Sequence, residues 1–355
     1  MEYRVLVIAP GSTSTKVYVC KDGEKIIEET ITYSSTCTSK YSKIYDQFQF
    51  RKEDVLRVLR EKNFDLNTLD AIVGRGGLLD LAKDEIYRVN ELMINDLKSG
   101  TQGEHASNLG AIIAYSIANP LKIPAFTVNS VTIDELQDIA RISGMPEIIR
   151  KSRFHALGQK SAAKRYAESI GKDYADLNLI VAYLGGGVSV GAHKRGKVID
   201  VNNALDGDGP FATERAGGLP VGDLVNLCYS GKYSHQKIKK MITGEGGITA
   251  YLGTSDFRKL EMKVNNGNKN AKDVFDAFIL QVSKEVGRCA AVLSGDVNAV
   301  ILTGGIAYSE KAVDEVKKRV SFIAPVICLP GEYELLELAD AGLRALKGEE
   351  IKEYR

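Results

Sequence analysis

The hydrophobic and polar positions of this 355-residue chain form two rounds of one pattern. In the first round, apolar runs at 5–9 and 17–20 flank a turn rich in glycine and hydroxyl residues, and a third run follows at 26–33. The second round has runs at 179–183, 190–193 and 198–201 in the same order, again with glycines in the first turn. Each round predicts a three-stranded meander. The pattern therefore predicts an internal duplication of one structural unit.

Between and after these meanders, short apolar strands alternate with stretches of helical spacing. The predicted strands lie at 71–73, 125–128, 299–302 and 325–329, and the predicted helices at 52–62, 105–117, 271–293 and from Glu334 onward. This alternation is typical of an α/β fold. The length favours two domains. We predict an N-terminal domain of residues 1–165 and a C-terminal domain of residues 166–355, whose last helix can pack back on the first domain.

The amino-acid composition argues against several classes of function. Forty-seven Lys and Arg residues against 46 Asp and Glu residues leave a net charge of +1. This balance argues against a broad basic surface for nucleic acid or acidic lipid. The five cysteines include no Cys-x-x-Cys pair, so we expect free thiols in a reducing compartment. Without a signal peptide or an apolar stretch of membrane-spanning length, the sequence predicts a soluble cytoplasmic protein.

The two glycine turns are the first candidates for chemistry. Successive backbone N–H groups in a tight turn bind anions, and hydroxyl and ammonium groups add donors. The candidate phosphate contacts are Gly11, Ser12, Ser14 and Lys16 in the first turn, and Gly185, Gly186 and Gly187 in the second. An ordinary hairpin turn explains either one alone, since Ser, Thr and Gly are common turn residues. Occurring twice, they favour two hairpins that grip a polyphosphate.

Several charged residues beside glycines or strand ends are further candidates. Arg75 and Arg215 each lie next to glycines, and a guanidinium there can bind an oxyanion in bidentate fashion, although a solvated or ion-paired arginine is the simpler interpretation. Asp134 and Glu334 suit helix starts as well as a magnesium site. His193 and His235 are predicted to lie on the surface.

Six short segments, taken in order, resemble the acetate kinase family, and its butyrate kinase branch most closely. They read Pro-Gly-Ser-Thr-Ser-Thr-Lys at 10–16, Gly-Arg-Gly-Gly-Leu-Leu at 74–79, Phe-His-Ala-Leu-Gly-Gln at 154–159, Leu-Gly-Gly-Gly-Val-Ser-Val-Gly-Ala-His at 184–193, Gly-Thr-Ser-Asp-Phe-Arg at 253–258 and Leu-Thr-Gly-Gly-Ile-Ala at 302–307. The resemblance runs the whole length of the chain. It implies an actin-like, ribonuclease H-like fold of two related domains with a nucleotide cleft between them.

The resemblance also implies the reaction. Family members transfer the γ-phosphoryl group of ATP to a short-chain carboxylate, reversibly, giving ADP and an acyl phosphate, and they form dimers or assemblies of dimers. A carboxylate is ionised at pH 7 and needs no base. Catalysis therefore consists mainly of positioning two anions and neutralising their repulsion, which arginines, a histidine and Mg²⁺ can do.

Carried over residue by residue, the resemblance assigns roles. Arg75 and Arg215 look like the arginines that hold the carboxylate and the phosphoryl group, and His155 like the histidine that stabilises the transition state. The other matches are to the substrate histidine at His105, the acidic residues near Mg²⁺ at Asp134 and Glu334 (with Glu332 as an alternative), the adenosine segment at Asp256, Phe257 and Arg258, and the loop beside it at Gly304, Gly305 and Ile306.

Two positions depart from the family pattern: Ala9 stands where relatives usually have Asn, and Tyr183 where they usually have His.

Two other functions remain open. A sugar or polyol kinase of the same fold would need an aspartate base, for which Asp134 is available. A nucleotide-binding paralogue of low activity would bind ATP without turnover.

Overall fold

The computed structural model describes residues 2–11, 14–38, 40–79, 86–128, 133–331 and 333–355, without the side chains of residues 35 and 36. Two of the sequence-based candidates, Ser12 and the alternative Glu332, lie outside the described residues. Contacts divide the chain into two compact units. Unit 1 comprises Met1–Ile133 and Tyr333–Arg355, and unit 2 comprises Asp134–Glu332.

Strands and helices alternate through both units. The strands are β1 (Arg4–Pro10), β2 (Ser14–Lys21), β3 (Glu24–Thr32), β4 (Ala71–Arg75), β5 (Ile86–Arg88), β6 (Ala125–Val128), β7 (Asn178–Leu184), β8 (Val188–Lys194), β9 (Lys197–Val201), β10 (Ala299–Gly304), β11 (Val326–Pro330) and β12 (Ile351–Glu353). The helices are α1 (Ser35–Thr38), α2 (Phe48–Glu61), α3 (Glu91–Ser99), α4 (Asn108–Leu121), α5 (Asp138–Arg141), α6 (Ala156–Ser169), α7 (Val221–Cys228), α8 (His235–Ile242), α9 (Gly247–Leu252), α10 (Phe257–Asn265), α11 (Lys269–Val292), α12 (Glu310–Val320) and α13 (Glu334–Leu346).

The two sheets share a strand order. Unit 1 has the order β12-β5-β6-β4-β1-β2-β3, and unit 2 has β11-β10-β7-β8-β9. In each, an antiparallel three-stranded meander is extended on the side of its first strand by two parallel strands. The pairing shifts register between the second and third meander strands of both units, at Val19/Cys20 and at Ala192/His193. The predicted duplication is therefore confirmed, down to a shared bulge.

Both faces of each sheet are covered, so successive residues of the central strands are buried on opposite sides. In unit 1, Leu6 and Ile72 belong to the core under α2, α3 and α4, whereas Val5 and Val73 meet Gly342 of α13. In unit 2, Ile180 joins the core under α10, α11 and α12, whereas its neighbours Leu179 and Val181 pack with the alanines of α6.

The covering helices do not all follow chain order. Helix α6, which comes after the last parallel strand of the unit 1 repeat, packs on β7 and β10 of unit 2. Helix α13, which comes after β11 of unit 2, packs on β1, β2 and β4 of unit 1. The boundary predicted between residues 165 and 166 falls inside α6, whereas the contacts divide the chain after Ile133. The difference arises because α6 buries its apolar face on the second sheet.

The elements predicted from hydrophobic periodicity are confirmed to within a few residues. The sequence pattern did not predict β5, β12 or the helices α1, α3 and α5–α10. No helix among the described residues combines the length and apolarity that crossing a membrane would require.

Candidate active site

In unit 1, the predicted phosphate turn lies between two long strands. The N–H of Gly11 donates to the carbonyl of Ser14 at 2.7 Å, which closes the hairpin. Lys16 follows on β2. Burial lowers the pKa of Lys16, while the nearby carboxylate of Glu334 acts in the opposite direction. The ammonium group is therefore held in a partly dehydrated position beside this turn, where it suits an anionic ligand.

A buried arginine that the sequence pattern did not single out supports this hairpin. The side chain of Arg51, on α2, is fully buried. Its Nη1 donates to the carbonyls of Gly11 and Ser14 at 3.0 and 3.1 Å and to Thr15 Oγ1 at 3.1 Å. The guanidinium also lies 4.5 Å from the ring centre of Tyr33. Arg51 thus fixes the carbonyls of Gly11 and Ser14 at the two ends of the turn.

Arg75 ends β4 and pairs with the first residue of α13. Its Nε lies 2.6 Å from Glu334 Oε1, and both side chains are mostly buried. Glycine at position 74 lets the end of β4 pack closely against α4, because a methyl group there would lie 2.3 Å from the carbonyl oxygen of Gly110. The sheet edge thus presents Arg75, Glu334 and Lys16 together.

His105, the predicted substrate histidine, precedes α4. Its Nδ1 lies 2.8 Å from Ser107 Oγ and accepts from the Ser107 N–H at 3.2 Å. An atom that accepts from a backbone N–H carries no proton, so the ring N–H is on Nε2. Nearby, Asn108 joins two loops by accepting from the Leu78 N–H at 2.9 Å and donating to the Gly103 carbonyl at 3.0 Å. The loop after Arg75 is therefore tied to the start of α4.

In unit 2, the glycine turn between β7 and β8 forms the equivalent hairpin, closed by Gly185 N–H donating to the Gly187 carbonyl at 3.1 Å. Two cationic or polar side chains converge on it. A methyl group on Gly187 would lie 2.1 Å from Arg215 Nη1 and 3.1 Å from His155 Cε1. Arg215 Nη1 also donates to the Ala204 carbonyl at 2.6 Å. Glycine at this position is therefore what allows Arg215 and His155 to meet at the turn.

His155 immediately precedes α6 and is held on two sides. Its Nδ1 lies 2.9 Å from Ser189 Oγ on β8. Its ring stacks on Tyr183, with centroids 4.2 Å apart and planes inclined by 14°. A methyl group on Gly158 would lie 2.6 Å from Tyr183 Cε2, so glycine at this position makes space for the stack. Tyr183, which replaces the usual family His, thus packs flat against the predicted catalytic residue.

Behind His155, a chain of buried hydrogen bonds runs through the interior of unit 2, to which His155 itself belongs. Gln159 Nε2 donates to Ser189 Oγ at 2.7 Å and to the Ser189 carbonyl at 3.0 Å. Gln159 Oε1 lies 2.9 Å from His193 Nε2, and His193 Nδ1 lies 2.7 Å from the hydroxyl of Tyr174. Ser189, Gln159 and His193 are fully buried.

The prediction that His193 lies on the surface is wrong, because α6 covers the polar face of β8. His235 is exposed, as predicted.

The predicted adenosine segment starts α10. Asp256 caps this helix by accepting from the Arg258 N–H at 3.0 Å, and it pairs with the exposed Arg258 guanidinium. Phe257, in contrast, is buried against Phe275 and Phe278. Its side chain belongs to the core, so the prediction that Phe257 contacts a nucleotide can hold only for its backbone.

The predicted loop after β10 shows a similar division. Gly304 has a φ of +88°, and a methyl group there would lie 2.4 Å from the carbonyl oxygen of Leu184. Space around Gly305 is open, whereas the Ile306 side chain is in the core. This loop therefore offers backbone, and not the Ile306 side chain, to a ligand.

The two predicted metal ligands are ion-paired. Asp134 accepts from the Leu136 N–H at 3.2 Å and contacts the Arg141 guanidinium, and Glu334 pairs with Arg75. The described residues contain no cluster of three or more His, Cys, Asp or Glu side chains arranged to hold a metal. Mg²⁺ in phosphoryl-transfer sites takes one or two carboxylates, with phosphates and water completing its shell. Glu334, which lies beside Lys16 and Arg75, fits such a shared site.

A cavity of about 640 Å³ opens elsewhere in unit 2, among α7, α8, α9 and α11. Apolar side chains such as Leu224, Ile238 and Val274 form most of its lining. None of the described site residues predicted from the sequence lines it.

Comparisons with known proteins identify the family to which the chain belongs. Butyrate kinase 1 of Clostridium acetobutylicum is 53% identical over 354 residues, 99% of this chain and 100% of that protein. Butyrate kinase 2 of the same organism is 54% identical over 356 residues, the full length of both. The crystal structure of Porphyromonas gingivalis acetate kinase covers 96% of this chain and 99% of its own, with a TM-score of 0.74 at 20% identity.

The structural match confirms the predicted actin-like fold with two related domains. The model of the acetokinase family matches residues 142–326, slightly more than half of the chain. Together with full-length relatives at more than half identity, this match shows that the chain belongs to the acetokinase family.

Proposed function

We propose that this protein is a carboxylate kinase, which transfers the γ-phosphoryl group of ATP to butyrate or isobutyrate and catalyses the reverse reaction. The observation that carries the proposal is the convergence of Arg215 and His155 on the glycine turn at Gly187. Such a turn exposes backbone N–H groups, and the two side chains add a positive charge and a ring N–H donor. These are the groups that a phosphoryl group needs during transfer.

The unit 1 residues are proposed to hold the acceptor and part of the nucleotide. Arg75 would bind the carboxylate through its guanidinium fork, because that fork matches the two oxygens of a carboxylate. His105, with its proton on Nε2, would donate a second hydrogen bond. Lys16 and the N–H groups of the first glycine turn would bind phosphate oxygens of ATP or ADP.

Mg²⁺ is proposed as the cofactor, and Glu334 is the carboxylate that would hold it. When bound, the ion would neutralise part of the charge that accumulates on the phosphates. Asp134 is proposed as a second acidic residue of the site. Its carboxylate contacts the Arg141 guanidinium, so the aspartate that a sugar kinase would need as its base is engaged in an ion pair.

The proposal is tested with the purified protein, ATP, Mg²⁺, a carboxylate and hydroxylamine, which traps an acyl phosphate as its hydroxamate. Butyrate and isobutyrate should both give hydroxamate, and the Arg215→Ala variant should lose about 10²-fold or more in rate. Arg319→Ala is the matched control, since Arg319 lies on α12 in an exposed ion pair with Glu315. The proposal would be contradicted if the protein phosphorylated a sugar but none of the acids acetate, propionate, butyrate and isobutyrate.

We further propose that the protein is cytoplasmic and forms a homodimer or an assembly of dimers. Several large apolar side chains on or near α7 are exposed, and Tyr229 and Val221 retain 88% and 70% of their accessible surface. Apolar surface of this kind is typical of a protein contact. Light scattering after size-exclusion chromatography gives the mass, and a monomer at all concentrations would refute the dimer.

A further inference from the structure

We propose that Ser189 and Gln159 are positioning residues, which hold the imidazole of His155 with its proton on Nε2 so that this nitrogen donates to the phosphoryl group. The contact with the phosphoryl group rests on the proposed carboxylate kinase function. The position of the proton does not, since hydrogen bonds within unit 2 determine it.

The carbonyl oxygen of Ser189 has only one possible role in a hydrogen bond. A backbone carbonyl can only accept a hydrogen bond. The atom of Gln159 that lies 3.0 Å from the Ser189 carbonyl is therefore the amide nitrogen, Nε2. The opposite orientation would place two acceptors against each other. With Nε2 directed toward Ser189, Gln159 Oε1 must face His193, whose Nε2 lies 2.9 Å away and is therefore the donor.

His193 closes the far end of the chain without ambiguity. Burial lowers its pKa to about 3, so the imidazole is neutral at ordinary pH and carries one proton. That proton is on Nε2, facing Gln159. Nδ1 consequently accepts from the hydroxyl of Tyr174, at 2.7 Å. Every polar side-chain atom in this part of the hydrogen-bond chain thus has one assigned role. The amide of Gln159 cannot exchange its nitrogen and oxygen without placing two acceptors against each other.

At the other end of the hydrogen-bond chain, Ser189 determines which nitrogen of His155 carries the proton. Ser189 Oγ accepts from Gln159 Nε2 at 2.7 Å and, more weakly, from the backbone N–H of His155 at 3.4 Å. A hydroxyl oxygen has two acceptor sites and one proton. With both acceptor sites used, the proton is directed to His155 Nδ1, at 2.9 Å. Nδ1 is then an acceptor, and the neutral ring carries its proton on Nε2.

Neighbouring groups fix the plane of this ring. Tyr183 stacks on one face, with the ring centroids 4.2 Å apart. The ring edge of His155 and the Arg215 guanidinium lie beside the same glycine, Gly187. An imidazole with its proton on Nε2 therefore adds a hydrogen-bond donor beside the charge of Arg215.

The test uses the whole protein labelled with ¹⁵N-histidine and long-range ¹H–¹⁵N NMR, which distinguishes protonated from unprotonated ring nitrogens. The chain has only four histidines, so assignment by substitution is practical. In the wild type at neutral pH, we expect His155 and His193 each to carry the proton on Nε2. The Ser189→Ala variant removes one oxygen and leaves Gln159 its bond to the main-chain carbonyl, so it is a mild change.

In Ser189→Ala, His155 should populate both neutral tautomers, while the His193 signal stays unchanged and reports an intact unit 2. The kcat for acyl phosphate formation should fall about tenfold, with KM for ATP and the carboxylate within about twofold, because one oriented hydrogen bond is lost. Ser283→Ala is the control, since it removes a buried hydroxyl of α11 outside the chain and should change neither the spectrum nor kcat.

Three results would overturn the proposal: a proton on Nδ1 of His155 in the wild type, an unchanged His155 tautomer in Ser189→Ala, or an unchanged kcat in that variant. A protein that forms no acyl phosphate from any carboxylate would refute the proposed function instead. The spectrum would then still decide the position of the proton, since it needs no substrate.

Discussion

The buried His193 makes unit 2 sensitive to acid, by an amount that follows from its pKa. The ordinary pKa of 6.5 falls to about 3 in the folded protein, because the ring is fully buried. Above pH 6.5 neither state binds the proton. Between pH 6.5 and about 3, only the unfolded chain binds it, so the free energy of unfolding decreases as the pH falls. The loss is about 1.4 kcal/mol per pH unit, or roughly 2 kcal/mol between about pH 7.5 and pH 5.

Urea unfolding followed by circular dichroism at these two pH values measures the effect. His193→Gln keeps a donor and an acceptor in the cavity but does not titrate, so it should lose roughly 2 kcal/mol less than the wild type over the same interval. His235→Gln serves as the control: His235 is exposed, and its replacement should leave the pH dependence unchanged. Equal losses in the wild type and in His193→Gln would refute the assignment of His193 as a buried neutral ring.

Three further substitutions test the site. Gly187→Ala places a methyl group against Arg215, and kcat should fall by about 10²-fold with little change in stability; kinetics that match the wild type would contradict the convergence at this turn. Arg51→Lys cannot reproduce the forked bonds to the first turn, so KM for ATP should rise about tenfold, and an unchanged KM would exclude this supporting role. Glu334→Gln removes the carboxylate beside Arg75, and the Mg²⁺ concentration for half-maximal activity should rise about tenfold; an unchanged titration would remove Glu334 from the metal site.

The sequence predicted the central sheets because their signals are local. Apolar runs of strand length separated by glycine or polar turns give β1–β3 and β7–β9, and their repetition gives the duplication. The helices α7–α10 were missed because each has only six to nine residues, which is too short a stretch to establish a helical period.

The interior of the site was harder to predict. Along β8, Val188 and Val190 alternate with Ser189 and His193, and such alternation is typical of a strand with one face in water. Here the polar face is covered by α6, through contacts that are distant in sequence. One signal was available: Gly191 lies between the two polar residues, and a methyl group there would be 2.4 Å from Gln159 Oε1.

Arg51 illustrates a second limit. It belongs to the predicted helix 52–62 extended by a turn, and an arginine in an amphipathic helix is normally a surface residue. Its burial follows from the carbonyls of a hairpin nearly forty residues earlier in the chain, to which no periodicity points. Arg75, at the end of β4, and Arg215, in the segment between β9 and α7, were identifiable because glycines mark the close approach of backbone around them.

The exchange of covering helices has a consequence for synthesis on the ribosome. Unit 2 is one continuous stretch and carries its own covering helix, α6, so it can be complete before translation ends. Unit 1 begins first but finishes last: β1 and β4 lack α13, and β5 lacks its partner β12, until residues 333–355 have emerged. The nascent N-terminal half therefore exposes one apolar face of its sheet, including Val5 and Val73, throughout the synthesis of unit 2. Chaperone binding during translation is accordingly expected to concentrate on the first half of the chain.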